Sequence, residues 1–199
     1  PGGARRFPPE AEPEAKRKIE EALESMGASC GYSSAACGTD VLFLETMAER
    51  GGETHIFLPF AKEEFIETSV RRAGGNWVAR FEKVLDRATA VHYVTREGYN
   101  GEDSLYSFCN DIMLGFTAMR GRGLDENPKL LVFWDGQKGS TGGTGELVER
   151  WSSIFNEPIV IDAKEVLSSV GEQNAAQSSS GETKPAIVMS DGDLKKRVS

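Results

Sequence analysis

The feature that most constrains the fold is a regular alternation of short apolar runs with stretches of helical periodicity. Compact apolar runs bounded by turn residues predict buried strands at residues 54–60, 89–95, 129–134 and 158–162. A stretch with helical spacing separates most of these runs, and this order is typical of βαβ units with parallel strands. The sequence therefore predicts an α/β fold: a single domain with a Rossmann-like parallel sheet and helices on both of its faces.

The helical stretches are marked by apolar residues that recur at intervals of three and four. This spacing predicts helices at residues 12–26, 41–50, 62–73, 76–88, 104–120 and 144–155. The pattern over residues 104–120 is the strongest of these. We expect one stripe of that helix to face the core, made of Leu105, Phe108, Cys109, Ile112, Phe116 and Met119.

The two ends of the chain fit this pattern less well. We expect residues 1–170 to form the domain, and residues 171–183, which are rich in Ser, Gln, Ala and Gly, to form a flexible linker. Residues 184–199 contain one strand-like burst at 186–189, which is either the start of a following segment or a strand that docks back on the sheet. No strand pattern precedes the first helix, so either a first strand is missing or this burst replaces it.

Composition and charge narrow the class of protein. The hydrophobic share is 39%, and no apolar run approaches the roughly 20 residues of a membrane-spanning helix, so we expect a cytoplasmic protein without a membrane partner. The formal net charge of -8 makes nucleic acid an unlikely partner, because binding to phosphates needs a basic face. The three cysteines include no C-x-x-C pair, which argues against a disulfide framework and a zinc site. His55 and His92 lie in predicted strands, which favours core or strand-end positions over the role of a base.

Loops that follow strands and lead into helices are the candidate ligand site, because parallel sheets bind ligands at the carboxyl ends of their strands. The loop at residues 33–40 consists of small residues, which would let backbone amides approach a ligand at the start of the next helix. Its candidate ligand-binding residues are Ser33, Ser34, Gly38 and Asp40. Asp40 could equally cap that helix. Pro59 is a further candidate at the end of a predicted strand, where it could simply terminate the strand.

A second loop is rich in glycine and hydroxyl groups. Residues 139–145 hold four glycines and three hydroxyl residues directly before a helix, which is the composition of a phosphate-binding loop. Its candidate ligand-binding residues are Ser140, Thr141, Gly142, Gly143, Thr144 and Gly145. The loop has no P-loop lysine, which argues against Walker-type hydrolysis of nucleoside triphosphates. The alternative is a flexible surface loop.

Three segments carry a resemblance through their order and spacing. They are Gly31-Tyr-Ser-Ser-Ala-Ala-Cys-Gly-Thr-Asp40, Gly51-Gly-Glu-Thr-His-Ile-Phe-Leu-Pro59 and Gly142-Gly-Thr-Gly-Glu-Leu-Val-Glu149. Together they resemble the SLOG superfamily, which includes the DNA-processing protein A family, the lonely-guy cytokinin phosphoribohydrolases and a set of nucleotide-sensing domains. The third segment looks like the Gly-Gly-x-Gly-Thr-x-x-Glu pattern of the phosphoribohydrolases, with Glu146 in place of the threonine.

The resemblance implies a nucleotide-derived ligand in the cleft, and it places Glu149 at the position of the family's catalytic carboxylate. Asn110 matches the centre of an Arg-Asn-Arg pattern in the DNA-processing branch, which marks it as a ligand-binding candidate, but Cys109 and Asp111 replace the arginines. The loss of this positive charge weakens phosphate binding and the stabilisation of a cleavage transition state. The chain looks closest to SLOG-like domains of bacterial signalling proteins.

Three functions stay open at this point. The first is a nucleotide-sensing domain of a bacterial signalling protein, which could form a homodimer and pass its state to a fused or neighbouring effector domain. The second is a hydrolase that cleaves the N-glycosidic bond of a nucleotide, with Glu149 as its catalytic residue. The third is a protein–protein interaction scaffold without a small ligand.

Overall fold

A six-stranded sheet runs through the described part of the chain, which in this computed structural model comprises residues 8–137, 142–171 and 186–190. The strands are β1 (Ala28–Ser33), β2 (Glu53–Leu58), β3 (Ala90–Tyr93), β4 (Lys129–Trp134), β5 (Ile159–Asp162) and β6 (Ala186–Ser190). The helices are α1 (Glu12–Met26), α2 (Thr39–Glu49), α3 (Lys62–Phe65), α4 (Trp77–Arg87), α5 (Ser104–Leu124), α6 (Thr144–Ile154) and α7 (Ala163–Gly171). The predicted Rossmann-like α/β fold is confirmed.

The strand order across the sheet is β3-β2-β1-β6-β4-β5. Neighbouring strands are parallel in the pairs β1–β2, β2–β3 and β4–β5, whereas β6 runs antiparallel to both β1 and β4. The first five strands therefore all point the same way, and their carboxyl ends meet along one edge, which we call the carboxyl edge. The sheet is mixed rather than wholly parallel, because β6, which lies at its centre, runs antiparallel to both of its neighbours.

The inserted strand β6 comes from the apolar burst near the end of the sequence. Its register places Ile187 beside Tyr32 of β1 on one side and beside Leu130 of β4 on the other. Ile187 is fully buried. The burst therefore docks back on the sheet, in a position with a hydrogen-bonded neighbour on each side. The predicted linker falls almost entirely on residues 172–185, which lie outside the described residues.

Helices cover both faces of the sheet, as the continuous apolar runs of the strands require. The buried side chains of α1, α2 and α4 pack on the face that carries Ile56, and those of α5 and α6 pack on the face that carries Phe57. These consecutive residues of β2 point in opposite directions because side chains alternate along a strand. Both are fully buried.

The helix predicted over residues 62–73 is broken into three short pieces. Helix α3 is followed by a π-helical turn, Ile66–Val70, and then by a 3-10 turn, Arg71–Ala73. A further 3-10 turn, Pro9–Ala11, precedes α1. Within the π-helical turn, the carbonyl of Ser69 accepts a hydrogen bond from Cys37 N at 3.1 Å. The loop after β1 is thus bonded to this segment through the Ser69 carbonyl, and the segment is π-helical where that bond is made.

The prediction for the inward face of α5 is wrong in part. Cys109 is buried, but Phe108, Phe116 and Met119 are 54%, 45% and 76% exposed. The face that packs on the sheet also includes Asn110, Met113, Leu114 and Thr117. Apolar residues occupy more than one side of α5, so their spacing alone does not choose the buried side. Although α5 is the longest described helix, none of the described helices has the length and apolarity needed to cross a membrane.

Candidate functional site

The chain leaves β1 at the carboxyl edge through a tight loop, residues 34–38, and then enters α2. Ala35 and Gly38 take positive φ angles of 60° and 100°, and Gly38 is the N-cap of α2. Asp40 Oδ2 accepts hydrogen bonds from Ser34 Oγ at 3.0 Å and from Ala36 N at 3.1 Å. Asp40 is only 1% exposed. Its carboxylate therefore holds the loop in shape from the inside.

Two hydroxyl groups flank this loop without hydrogen-bond partners in the described part of the chain. They are Oγ of Ser33, the last residue of β1, and Oγ1 of Thr39, the first residue of α2. Ser33 and Thr39 are 0% and 5% exposed. Buried hydroxyl groups are normally hydrogen-bonded, since water can no longer satisfy them. Each is therefore an atom that a bound molecule could satisfy.

The second candidate loop packs directly on the first turn of α5. Gly142 has a φ of 74°, and a Cβ atom at this position would lie 2.5 Å from Tyr106 Cβ and 2.8 Å from Ser107 N. Only glycine fits such a close approach. Asn110 Nδ2 donates to the carbonyl of Gly142 at 3.0 Å, so this predicted ligand-binding residue anchors the loop to α5.

A carboxylate already contacts the glycine loop. Glu146 Oε2 accepts a hydrogen bond from Gly142 N at 2.8 Å, and Oε1 accepts one from Ser107 Oγ at 2.5 Å. Arg150 pairs with Glu146 at 2.9 Å and also with Asp111. The bonds from Ser107 and Gly142 lower the pKa of Glu146, with a further contribution from Arg150. The glycine loop is therefore already bonded to a carboxylate, that of Glu146 in the first turn of α6.

Tyr106 connects the two loops. Its hydroxyl donates to Thr68 Oγ1 at 3.1 Å and lies 3.2 Å from Ser69 Oγ. The carbonyl of Ser69 in turn accepts the bond from Cys37 N in the first loop, while the Tyr106 main chain lies against Gly142. The structure therefore brings the loops that follow β1 and β4 to opposite sides of one tyrosine.

Further aromatic rings surround Tyr106 at the carboxyl edge. The ring of Phe60 lies 5.1 Å from that of Tyr99 and 5.5 Å from that of Tyr106. Tyr99 donates its hydroxyl to Asp103 at 2.8 Å. Its pKa is raised, chiefly by this bond, while the charge of Arg72 acts in the opposite direction. Both tyrosines are partly exposed, and a positive charge lies close to Tyr99.

The remaining predicted site residues divide into three groups. Pro59 is buried immediately before Phe60, and Gly143, Thr144 and Gly145 are buried at the start of α6. Glu149 lies on the exposed side of α6, one turn after Glu146. Ser140 and Thr141 lie outside the described residues. The roles of Tyr106, Tyr99 and Glu146 were missed, because they depend on how α5 packs against the loops, although the unusual glutamate at position 146 was a visible signal.

The fold and the loops at its carboxyl edge define this chain as a Rossmann-like α/β protein. Comparison with known protein families found no matching family model, and comparison with curated proteins found no match either. The resemblance to the SLOG superfamily therefore rests on the three motifs alone.

Proposed function

We propose that this chain is a SLOG-like sensing module that binds a nucleotide-type ligand at the carboxyl edge of its sheet. The observation that carries the proposal is the pair of buried hydroxyl groups of Ser33 and Thr39, which have no hydrogen-bond partner within the described residues. A buried polar group left in this state costs about 1–3 kcal/mol. A ligand that hydrogen-bonds to both groups would recover that free energy on binding.

The start of α2 is suited to the phosphate or another anionic group of such a ligand. The first amide groups of a helix point out of its N-terminus and carry a partial positive charge. Helix α2 begins at a glycine N-cap without a side-chain cap, and its first residues, Thr39 and Asp40, are buried. A negative group placed between the loop and Thr39 would meet the hydroxyl of that residue as well.

The surroundings of Tyr106 are suited to a flat ring. Partly exposed tyrosine rings offer surfaces on which a nucleobase can stack, and stacking of this kind contributes about 1–3 kcal/mol per base. Tyr99 and Tyr106 both lie at the carboxyl edge, with their ring centres 6.2 Å apart. Arg72 adds a positive charge near Tyr99. An anionic group attached to an aromatic base fits this combination better than a simple anion does.

The glycine loop before α6 has a different part in this proposal. The carboxylate of Glu146 already accepts the bond from Gly142 N, so this amide is not open to a phosphate. At the start of α2 the carboxylate of Asp40 likewise bonds to the loop, but the hydroxyl of Thr39 beside it has no partner among the described residues. We therefore assign the anionic group of the ligand to Thr39 and the first amides of α2, and the glycine loop becomes the opposite wall of the site.

The experiment is calorimetric titration of the protein with AMP, ADP, a cyclic nucleotide, ADP-ribose and NAD, followed by chromatography of each mixture. We expect binding without new products. Gly38→Ala should abolish binding, because alanine is strained at the positive φ of this N-cap. Gly51→Ala is the matched control: Gly51 also has a positive φ, of 75°, but it lies beyond the other end of α2.

Each other outcome points to a different function. The absence of binding to every nucleotide tested would favour the scaffold without a small ligand. New products that disappear in Glu149→Gln would make the protein a hydrolase. Equal loss of binding in Gly38→Ala and Gly51→Ala would show that the effect is one of stability, and would remove the ligand from the start of α2.

A further inference from the structure

A second polar cluster lies toward the amino ends of β1 and β2, away from the carboxyl edge. It contains Cys30 of β1 with Glu53 and His55 of β2, and one ligand atom from each residue lies within 4.8 Å of the others. Cys30 and Glu53 are register partners on neighbouring parallel strands. Cys30 is a free, buried thiol, whereas the side chain of Glu53 is 49% exposed. The cluster is therefore both preformed and open to solvent on one side.

The charge of Arg120, from α5, lies at this cluster. Its Nη2 donates to Glu53 Oε2 at 2.7 Å, and its Nη1 lies 3.4 Å from His55 Nε2. A guanidinium group can only donate hydrogen bonds, so the contact with Arg120 uses the lone pair of His55 Nε2, whereas Glu53 Oε2, at 3.5 Å from the same nitrogen, would accept its proton in the other tautomer. The cluster thus already surrounds a cation with electron-pair donors.

The opposite side of the His55 ring faces His92. His55 Nδ1 lies 3.5 Å from Nε2 of His92 on β3, so in the tautomer that leaves Nε2 unprotonated the Nδ1 proton faces His92. The ring is also stacked on Tyr32, with ring centres 5.0 Å apart. A histidine that binds a metal through one nitrogen commonly donates from the other to a neighbouring group, which fixes its orientation. His92 and Tyr32 hold His55 in this way.

We propose that Cys30 Sγ, a carboxylate oxygen of Glu53 and His55 Nε2 bind a divalent zinc ion, which takes the place of the Arg120 guanidinium. Thiolate, imidazole and carboxylate are the three side-chain ligands that zinc takes in proteins, and three protein ligands leave one position for water. Binding converts the Cys30 thiol to a thiolate and releases its proton to solvent. Arg120 has a side chain that is 30% exposed, so it can turn outward without a change in the backbone.

This site was not foreseen because its ligands come from different strands. Sequence searches for zinc sites look for two cysteines or histidines separated by a few residues. Here the pairing of β1 with β2 brings together residues that are 23 and 25 positions apart, from Cys30 to Glu53 and to His55. The inference is independent of the proposed nucleotide site, which lies at the other edge of the sheet.

The test is a titration of the protein with cobalt(II), followed by absorption spectroscopy, and then displacement of the cobalt by zinc. We expect one ion per chain, with the intense visible bands of a tetrahedral site and a thiolate-to-cobalt charge-transfer band in the near ultraviolet. Cys30→Ser should remove the charge-transfer band, and His55→Gln should weaken binding while leaving that band in place at high cobalt. Cys109→Ser is the matched control, because Cys109 is a buried cysteine of α5 outside the cluster.

Two further variants separate a metal site from an ordinary ion pair. Arg120→Gln should bind cobalt at least about tenfold more tightly, because the competing positive charge is gone. His92→Gln should weaken binding by about tenfold, as expected of a positioning residue. The proposal is overturned if Arg120→Gln shows no thiolate band, if the band survives in Cys30→Ser, or if the Arg120 change leaves the affinity unchanged. Arg120→Gln gains binding, so that a folding defect cannot imitate its result.

Discussion

Thr39 is a residue whose environment in the free protein is unfavourable. Its hydroxyl group is buried beside the loop after β1 without a hydrogen-bond partner in the described residues. Thr39→Val keeps the shape of the side chain and removes this group. We expect the free energy of unfolding to rise by about 1 kcal/mol without ligand, because the cost of the buried hydroxyl disappears. We expect nucleotide affinity to fall in the same variant.

Thr46→Val supplies the control for that change on the same helix. Thr46 is 1% exposed, but its hydroxyl donates to the carbonyl of Leu42 at 2.8 Å, so the substitution removes a bond that is made. Denaturant unfolding of both variants, with and without the nucleotide that binds, makes the comparison. A loss of stability in Thr39→Val as large as that in Thr46→Val would mean that Thr39 is satisfied within the protein.

At the scale of elements, the junction of α5 and α6 depends on the charge of Glu146. The pKa of this carboxyl is lowered in the folded state, chiefly by the hydrogen bond from Ser107. Its stabilising effect is therefore present above its ordinary pKa of 4.5 and is lost as the pH falls through the lowered value. Glu146→Gln should flatten the decrease of unfolding free energy between about pH 5 and pH 3, measured by denaturant titration at each pH.

Two serines of α5 test the cause of this pH dependence. Ser107→Ala removes the bond that contributes most to the lowered pKa of Glu146, so it should flatten the same part of the profile. Ser104→Ala is the control. Ser104 is exposed in the first turn of α5, and its hydroxyl contacts Glu102 rather than Glu146. The substitution should leave the profile unchanged. A profile that is equally steep in all four proteins would contradict the role given to Glu146.

The elements also show what the sequence could and could not predict. The bounds of α1 and β4 agree with the predictions, because each has a clear apolar pattern with definite ends. Helix α1, for example, ends at Gly27, which has a φ of 61° and terminates the helix. Helix α7 was not predicted, and the breaks between residues 62 and 73 were missed; the π-helical turn there includes Ser69, whose carbonyl bonds to Cys37, which is distant in sequence. Sequence patterns report the period of an element well, but they do not report its tertiary partners.

The same distinction applies to the candidate site. The position of the glycine loop followed from a predicted strand, whereas the loop at residues 33–40 was recognised by its small residues, because β1 was not among the predicted strands. The structure brings both loops to Tyr106. The hydrogen-bond partners of the polar groups in these loops could not be predicted from the sequence. Asn110 and Glu146 bind the glycine loop itself, since the packing of α5 against α6 places them there.

At the scale of the whole molecule, stability depends on the strand at the centre of the sheet. Ile187 of β6 is fully buried, so Ile187→Ala should reduce the free energy of unfolding by about 2–5 kcal/mol. Val160→Ala is the control, because Val160 is 48% exposed on the edge strand β5 and should change stability by no more than about 0.5 kcal/mol. Chemical denaturation measures both. Similar small losses in the two variants would contradict the central position of β6.

The central position of β6 has a consequence for biosynthesis. Five strands leave the ribosome before β6, and they can form only two partial sheets, β3-β2-β1 and β4-β5, because β6 is the strand that lies between β1 and β4. Until β6 arrives, β1 and β4 each expose a row of unpaired backbone groups, which invites pairing with other nascent chains. We therefore expect the growing chain to be most prone to association with other chains when five of the six described strands have been made and β6 has not yet paired with β1 and β4.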